Sequence, residues 1–93
     1  MKDKIVLITG SGRGIGKAIA LRFGQVGAKV IVNDINPDTA EAASTEIKKA
    51  GGEAINIIAD VSNKLAVQTM HYEILEKWKR VDILINNAGV EPS

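Results

Sequence analysis

"KIVLITGSGRGIG", Lys4 to Gly16, decides the fold of this chain. Its first part is a continuous run of β-branched residues and leucine, the pattern of a strand buried on both faces. The run ends in a turn with four glycines in seven positions: Gly10, Gly12, Gly14 and Gly16. Glycine loses more backbone freedom on folding than any other residue, so such a cluster needs a reason. From Ile15 the apolar period becomes helical. Ile15, Ala18, Ile19, Phe23 and Val26 fall on one face, and Gly27 ends the helix.

The same alternation continues outward. Lys29 to Asp34, "KVIVND", is a second apolar strand. Asn36 is placed to cap the next helix, with Pro37 at its first position. Ala40, Ala43, Ile47 and Ala50 line one face of it, and Gly51 and Gly52 stop it. Glu53 to Asp60 reads as a third strand. Ser62 is expected to cap a third helix carrying Val67, Met70, Ile74 and Trp78. Val81 to Gly89 supplies a fourth strand and a turn. The order βαβαβαβ with short connections implies parallel strands, right-handed crossovers and an open α/β sheet.

Composition removes several functions. At 93 residues the chain is one small domain at most. Hydrophobic residues make up 45% of it, which excludes disorder, and no apolar run approaches a bilayer span. Net charge is +1 and aromatics are 3%, so neither charge nor stacking points to a nucleic acid. There is no cysteine, and the single His71 cannot build a metal cluster. No signal-peptide pattern is legible, so no membrane partner and a cytoplasmic location are expected.

A strand, a glycine-rich turn and a helix make an anion site, because free N–H groups and the positive end of the helix dipole point at the turn. The common dinucleotide spacing G-x-G-x-x-G is absent: counted from Gly10 its last position is Ile15, and from Gly12 it is Lys17. No Gly-Lys-Ser/Thr follows either. What stands is T-G-x-x-x-G-x-G, on Thr9, Gly10, Gly14 and Gly16. Gly10 is expected to turn the chain, Gly14 to admit the pyrophosphate, and Gly16 to let the helix pack on the strand. Gly12 is left with loop freedom. Asp34 lies eighteen residues after Gly16, at the end of the second strand. A carboxylate there can accept both hydroxyls of an adenosine ribose and repels a 2′-phosphate. Aspartate is also a common turn residue at a strand end.

These residues resemble the short-chain dehydrogenase/reductase family, over the whole chain. "TGSGRGIG" (Thr9 to Gly16) resembles its cofactor loop, which assigns Gly10, Ser11, Gly12, Arg13, Gly14, Ile15 and Gly16 to the cofactor. "ADVS" (Ala59 to Ser62) resembles its adenine-contacting turn, with Asp60 and the Val61 backbone at the base edge. "NNAG" (Asn86 to Gly89) resembles its fourth-strand motif, in which Asn87, Ala88 and Gly89 border the cofactor ribose. Within the family the wording is most similar to 3-oxoacyl-acyl-carrier-protein reductases. The resemblance implies a Rossmann-type, partial doubly wound parallel sheet in the order 3-2-1-4, with residues 1–93 as its dinucleotide-binding half. Two departures stand out. Arg13 precedes Gly14, where NADP-preferring members often carry a basic residue. An exposed ion pair recovers only about 0–1 kcal/mol, so Asp34 favours NAD over NADP. Trp78 and Lys79 stand where the family usually has phenylalanine and glycine, so the third helix needs another way to end.

The family's reaction is hydride transfer between nicotinamide and a carbonyl or alcohol carbon. It uses a serine and a tyrosine with a lysine four residues later. Tyr72 is the only tyrosine here, and Glu76 stands four residues on. Tyr72 and His71 are therefore expected to be packing or surface residues, no catalytic residue is assigned, and the 93 residues alone are expected to be inactive. An alternative is a non-enzymatic α/β module. The 3-2-1-4 order leaves "ILIN" (Ile83 to Asn86) as a long apolar edge, so a homo-oligomer through that edge or a swapped segment is expected.

Overall fold

The computed structural model describes residues 1–88. Its elements are β1 (Ile5–Ile8), α1 (Gly14–Gln25), β2 (Lys29–Asp34), α2 (Pro37–Lys49), β3 (Glu53–Ile58), α3 (Lys64–Trp78) and β4 (Ile83–Ile85). All strand pairs are parallel, and the sheet order is β3-β2-β1-β4. Every residue of β1 is buried. Val6 and Ile8 join Val30, Val32, Ala40, Ala43 and Ile47 in one core, while Ile5 and Leu7 join Ile31, Ile57, Met70 and Ile74 in another. Successive side chains of a strand alternate between faces, so a continuous apolar run serves helices on both sides.

The face that α1 buries differs from the expected one. Gly16, Ala20 and Gly24 are its buried residues. Ile19 and Phe23 are half-buried against the core, but Ile15 is 64% exposed and Val26 40%. The helix sits on its smallest side chains because that allows close approach: a Cβ at Gly24 would lie 2.8 Å from Ile47 Cγ2. A search for large apolar residues misses such a face. By contrast, α2 starts as the sequence predicts. Asn36 Oδ1 accepts from Asp38 N–H at 2.8 Å and Thr39 N–H at 3.3 Å, with Pro37 in the first turn.

The third helix corrects a second expectation. Its cap is Asn63, whose Oδ1 accepts from Ala66 N–H at 3.0 Å, and not Ser62. The Ser62 hydroxyl donates instead to Asp60 Oδ1 at 2.7 Å, a charge-assisted bond stronger than a neutral cap. At the other end Lys79 itself adopts the left-handed conformation (φ 74°), and its N–H donates to Ile74 O at 3.3 Å. A non-glycine residue there costs about 1–2 kcal/mol, and α3 ends without the family's glycine. Lys29 Nζ sits 5.7 Å from the centre of the Trp78 ring.

Strand β4 has three residues, shorter than the apolar run predicts. Asp82 sets its start: its N–H donates to Ile5 O and its Oδ2 accepts from Ile5 N–H, both at 2.8 Å. That bond, with Arg80 at 3.0 Å, holds the Asp82 carboxyl below the usual carboxylate range against its partial desolvation. Among the described residues, no helix is long and apolar enough to cross a membrane.

Candidate functional site

Strand order reverses between β1 and β4, because the chain runs outward through β2 and β3 and then returns to the far side of β1. In open parallel sheets the crevice beyond the carboxyl ends of the strands at such a point is where ligands bind. Here the loop after β1 and the turn after β4 meet. A Cβ on Gly10 would lie 3.1 Å from Ala88 Cα. Gly10 has φ 64°, which turns the chain as expected and which side chains disfavour.

Thr9 holds the two segments together. Its Oγ1 accepts from Asn87 N–H at 3.0 Å and from Ala88 N–H at 3.1 Å, and lies 3.3 Å from Asn86 Oδ1. Asn87 Nδ2 in turn donates to Gly10 O at 3.2 Å. Gly16 fits beneath this contact. A Cβ there would run into the Gly10 carbonyl oxygen and lie 2.5 Å from Asn87 Nδ2. The close packing expected of Gly16 is therefore against the loop and the fourth-strand motif.

The loop has an inner and an outer side. Ser11 is fully buried; its Oγ donates to Ile8 O at 2.7 Å and accepts from Asn33 N–H at 3.0 Å. Its hydroxyl thus serves the sheet and not the crevice. Gly12 is also inside, and it is not the free position the sequence suggests. Its N–H donates to Asp34 Oδ2 at 2.9 Å. A Cβ on Gly12 would lie 2.6 Å from that oxygen and 2.9 Å from Thr39 Oγ1. Arg13, Gly14 and Ile15 form the exposed outer side, with Gly14 at φ 62°. Arg13, the N-cap residue of α1, makes no side-chain cap bond, and no acidic residue belongs to the helix's first turn.

Asp34 is 8% exposed. Its Oδ1 accepts from Ile35 N–H at 2.7 Å and Asn36 N–H at 3.3 Å, and its Oδ2 from Gly12 N–H. A carboxylate offers about four acceptor positions. Three are taken by backbone, so one is left for a ribose hydroxyl where the spacing alone suggests two. The donor set still fits a nucleotide: a locked carboxylate with one acceptor position left beside an exposed loop that carries a glycine at its centre, Gly14.

Asp60 and Val61 lie beyond β3. Ser62 Oγ at 2.7 Å and Ser62 N–H at 2.9 Å both donate to Asp60 Oδ1 and hold its carboxyl below the usual range, against a small effect of desolvation. Ala59, just before them, and Gly10 of the glycine loop bond to the same side chain. The link runs through Asn33, which sequence reasoning passes over. Its signal is legible all the same: an amide inside the run "VIVND" must find partners if it is buried. Val61, Thr9 and Asn86 share with Met70 and His71 the wall of a cavity of about 200 Å³. Tyr72 is exposed on α3, as expected of a surface residue. Gly89 lies outside the described residues.

Comparison with known proteins agrees with this geometry. The sequence profile of the family described as short chain dehydrogenase matches residues 4–93. The chain is 41% identical over 91 residues to a hydroxy(phenyl)methyl-succinyl-CoA dehydrogenase subunit of Thauera aromatica, covering 98% of this chain and 37% of that one. It superposes on a metagenomic short-chain oxidoreductase in complex with NADP (TM-score 0.92, 37% identity, 97% of this chain and 41% of that one). It also matches a 7α-hydroxysteroid dehydrogenase complexed with NADH and 7-oxo glycochenodeoxycholic acid (TM-score 0.86, 38% identity, 89% and 32%). The chain spans little more than a third of the length of the curated relative it matches. Strand order, the loop on β1 and the turn on β4 thus agree with a profile covering nearly every residue, and the chain belongs to the short-chain dehydrogenase/reductase family.

Proposed function

We propose that residues 1–93 are the NAD-binding half of an oxidoreductase acting on carbonyl or alcohol groups, of the 3-oxoacyl-acyl-carrier-protein reductase kind. The observation that carries this is Asp34, buried at the end of β2 and bonded to the backbone of the glycine loop. In this reading the outer loop, Arg13 to Ile15, receives the pyrophosphate. Asp34 takes a hydroxyl of the adenosine ribose, Asp60 and the Val61 backbone face the adenine edge, and Asn87, Ala88 and Gly89 border the second ribose. Gly10, Ser11, Gly12 and Gly16 shape that surface from within. The nicotinamide, when bound, supplies hydride acceptance and donation. A 2′-phosphate would meet the Asp34 carboxylate, which one exposed arginine does not offset. One solved relative carries NADP and another NADH, so the preference rests on Asp34 itself.

Calorimetry with NAD and NADP, on the unsubstituted chain and on Asp34→Ala, tests this. NAD is expected to bind about tenfold tighter than NADP, a difference that one charged hydrogen bond supplies. The variant is expected to lose that preference. Binding of neither nucleotide overturns the reading, and tighter binding of NADP overturns the weight given to Asp34 over Arg13. No turnover is expected of the 93 residues with NADH and an acetoacetyl substrate, since Glu76 stands where a lysine would follow Tyr72.

A second reading, a self-associating α/β module, is favoured by β4. Among the described residues it pairs only with β1, and Leu84 is 58% exposed. Three residues make a short edge, which limits pairing between copies. Sedimentation at rising concentration is expected to show a dimer or larger species. A sharp monomer at the highest concentration removes this reading. A cytoplasmic location belongs to the same proposal.

A further inference from the structure

Asn33 is 1% exposed, and every polar atom of its side chain is engaged across the sheet. Oδ1 accepts from Gly10 N–H at 3.3 Å. Nδ2 donates to Ile57 O and to Ala59 O, each at 3.2 Å. The orientation of the amide is fixed by these partners. Turned over, its oxygen would face two carbonyls and its NH₂ would face an N–H. The main chain repeats the connection: Ser11 N–H donates to Asn33 O at 2.7 Å, and Ala59 N–H to Asp34 O at 3.1 Å.

Gly10 begins one wall of the candidate crevice, and Ala59 begins the segment that carries Asp60 and Val61, the other. The Asn33 side chain bonds to both, bridging the loop after β1 and the end of β3. We infer that Asn33 is a positioning residue for an adenine nucleotide, its amide holding the phosphate-side loop and the adenine-side turn at one fixed separation. The inference rests on the nucleotide reading of the site. The chemistry follows from the length of the ligand. A nucleotide bonded at its phosphate by one wall and at its base by the other gains both contacts only if the walls keep their spacing. Misplacement of either wall wastes the orientation of the rest.

Asn33→Asp is the sharpest test, because it keeps the shape and the acceptor for Gly10 but sets a carboxylate oxygen against two carbonyls. Its affinity for ADP and NAD, measured by calorimetry at neutral pH on folded protein, is expected to fall about tenfold relative to the unsubstituted chain. On acidification the carboxyl takes up a proton and regains one donor. The ratio to the unsubstituted chain at the same pH is then expected to recover. Asn33→Ala is expected to lose affinity at both pH values without recovery. A purely structural asparagine would lower the Tm of both variants and leave the affinity of the folded fraction and its pH profile unmoved.

Amide hydrogen exchange on the same proteins separates this inference from the reading beneath it. In Asn33→Ala, Gly10 and Ala59 are expected to exchange faster together while Val6 and Val32 in the core keep their protection. Faster exchange at Gly10 alone overturns the coupling, whatever binds. Affinities within twofold of the unsubstituted chain in both variants overturn the positioning role and leave the nucleotide site standing. If the unsubstituted chain binds neither ADP nor NAD, the nucleotide reading fails and the positioning role fails with it.

Discussion

Gly16→Ala is expected to destabilise the chain by about 3 kcal/mol, the upper end for a core forced to take an extra methyl group. The new Cβ would run into the backbone oxygen of Gly10 and stand 2.5 Å from Asn87 Nδ2. Backbone cannot rotate away as a long side chain does. Either α1 lifts from the sheet or the Asn87 to Gly10 bond breaks, and both disturb the crevice. Thermal unfolding should show a Tm lowered by more than about 10 °C in a domain of this size. Gly51→Ala is the control. Gly51 has φ 92°, and a Cβ added to it would meet nothing within 4 Å. Its substitution therefore carries the conformational penalty alone, about 1–2 kcal/mol. A Gly16→Ala variant no less stable than Gly51→Ala would show that the loop and helix separate freely.

Thr9→Val is expected to cost about 2 kcal/mol. The substitution keeps the shape and removes the oxygen that accepts from Asn87 N–H and Ala88 N–H. Asn87 N–H retains Ile85 O at 3.1 Å, so the loss falls mainly on Ala88, a partly buried donor, and a donor left without a partner costs about 1–3 kcal/mol. Thr9→Ser retains the hydroxyl and is expected to stay within about 1 kcal/mol of the unsubstituted chain. Denaturant unfolding gives the difference in stability, and amide exchange at Ala88 shows whether the turn after β4 is released. Equal stability of the valine and serine variants would remove Thr9 as the tie between β1 and the fourth-strand motif.

The two cases differ in how far the residues themselves announce them. Gly16 is legible as a packing glycine, since a helix beginning on a strand-turn glycine has to approach that strand closely. Its actual neighbours, Gly10 O and Asn87, lie six and seventy-one positions away in the chain and meet it only after β4 has crossed back beside β1. Gly12 reads as spare because its partner, the Asp34 carboxylate, comes from the next strand. Ser62 reads as the helix cap on residue type, and the competition between Asp60 and Ala66 N–H for a side chain is settled by geometry in favour of Asn63.

By itself the sequence determined the order of elements, the two-sided burial of β1, the cap of α2, the sheet order through its family motifs, and the carboxylate at the end of β2. Those follow from local periodicity, backbone conformation and spacing, which neighbours in the chain carry. Only the tertiary structure decided that α1 packs on Gly16, Ala20 and Gly24, that Asp34 has one acceptor position left, and that Thr9 and Asn33 bind the strand ends together. Each of these is a matter of which buried polar or small group meets which partner across parallel strands. Parallel strands bring together residues separated by a whole crossover, and the amino-acid order does not record that distance.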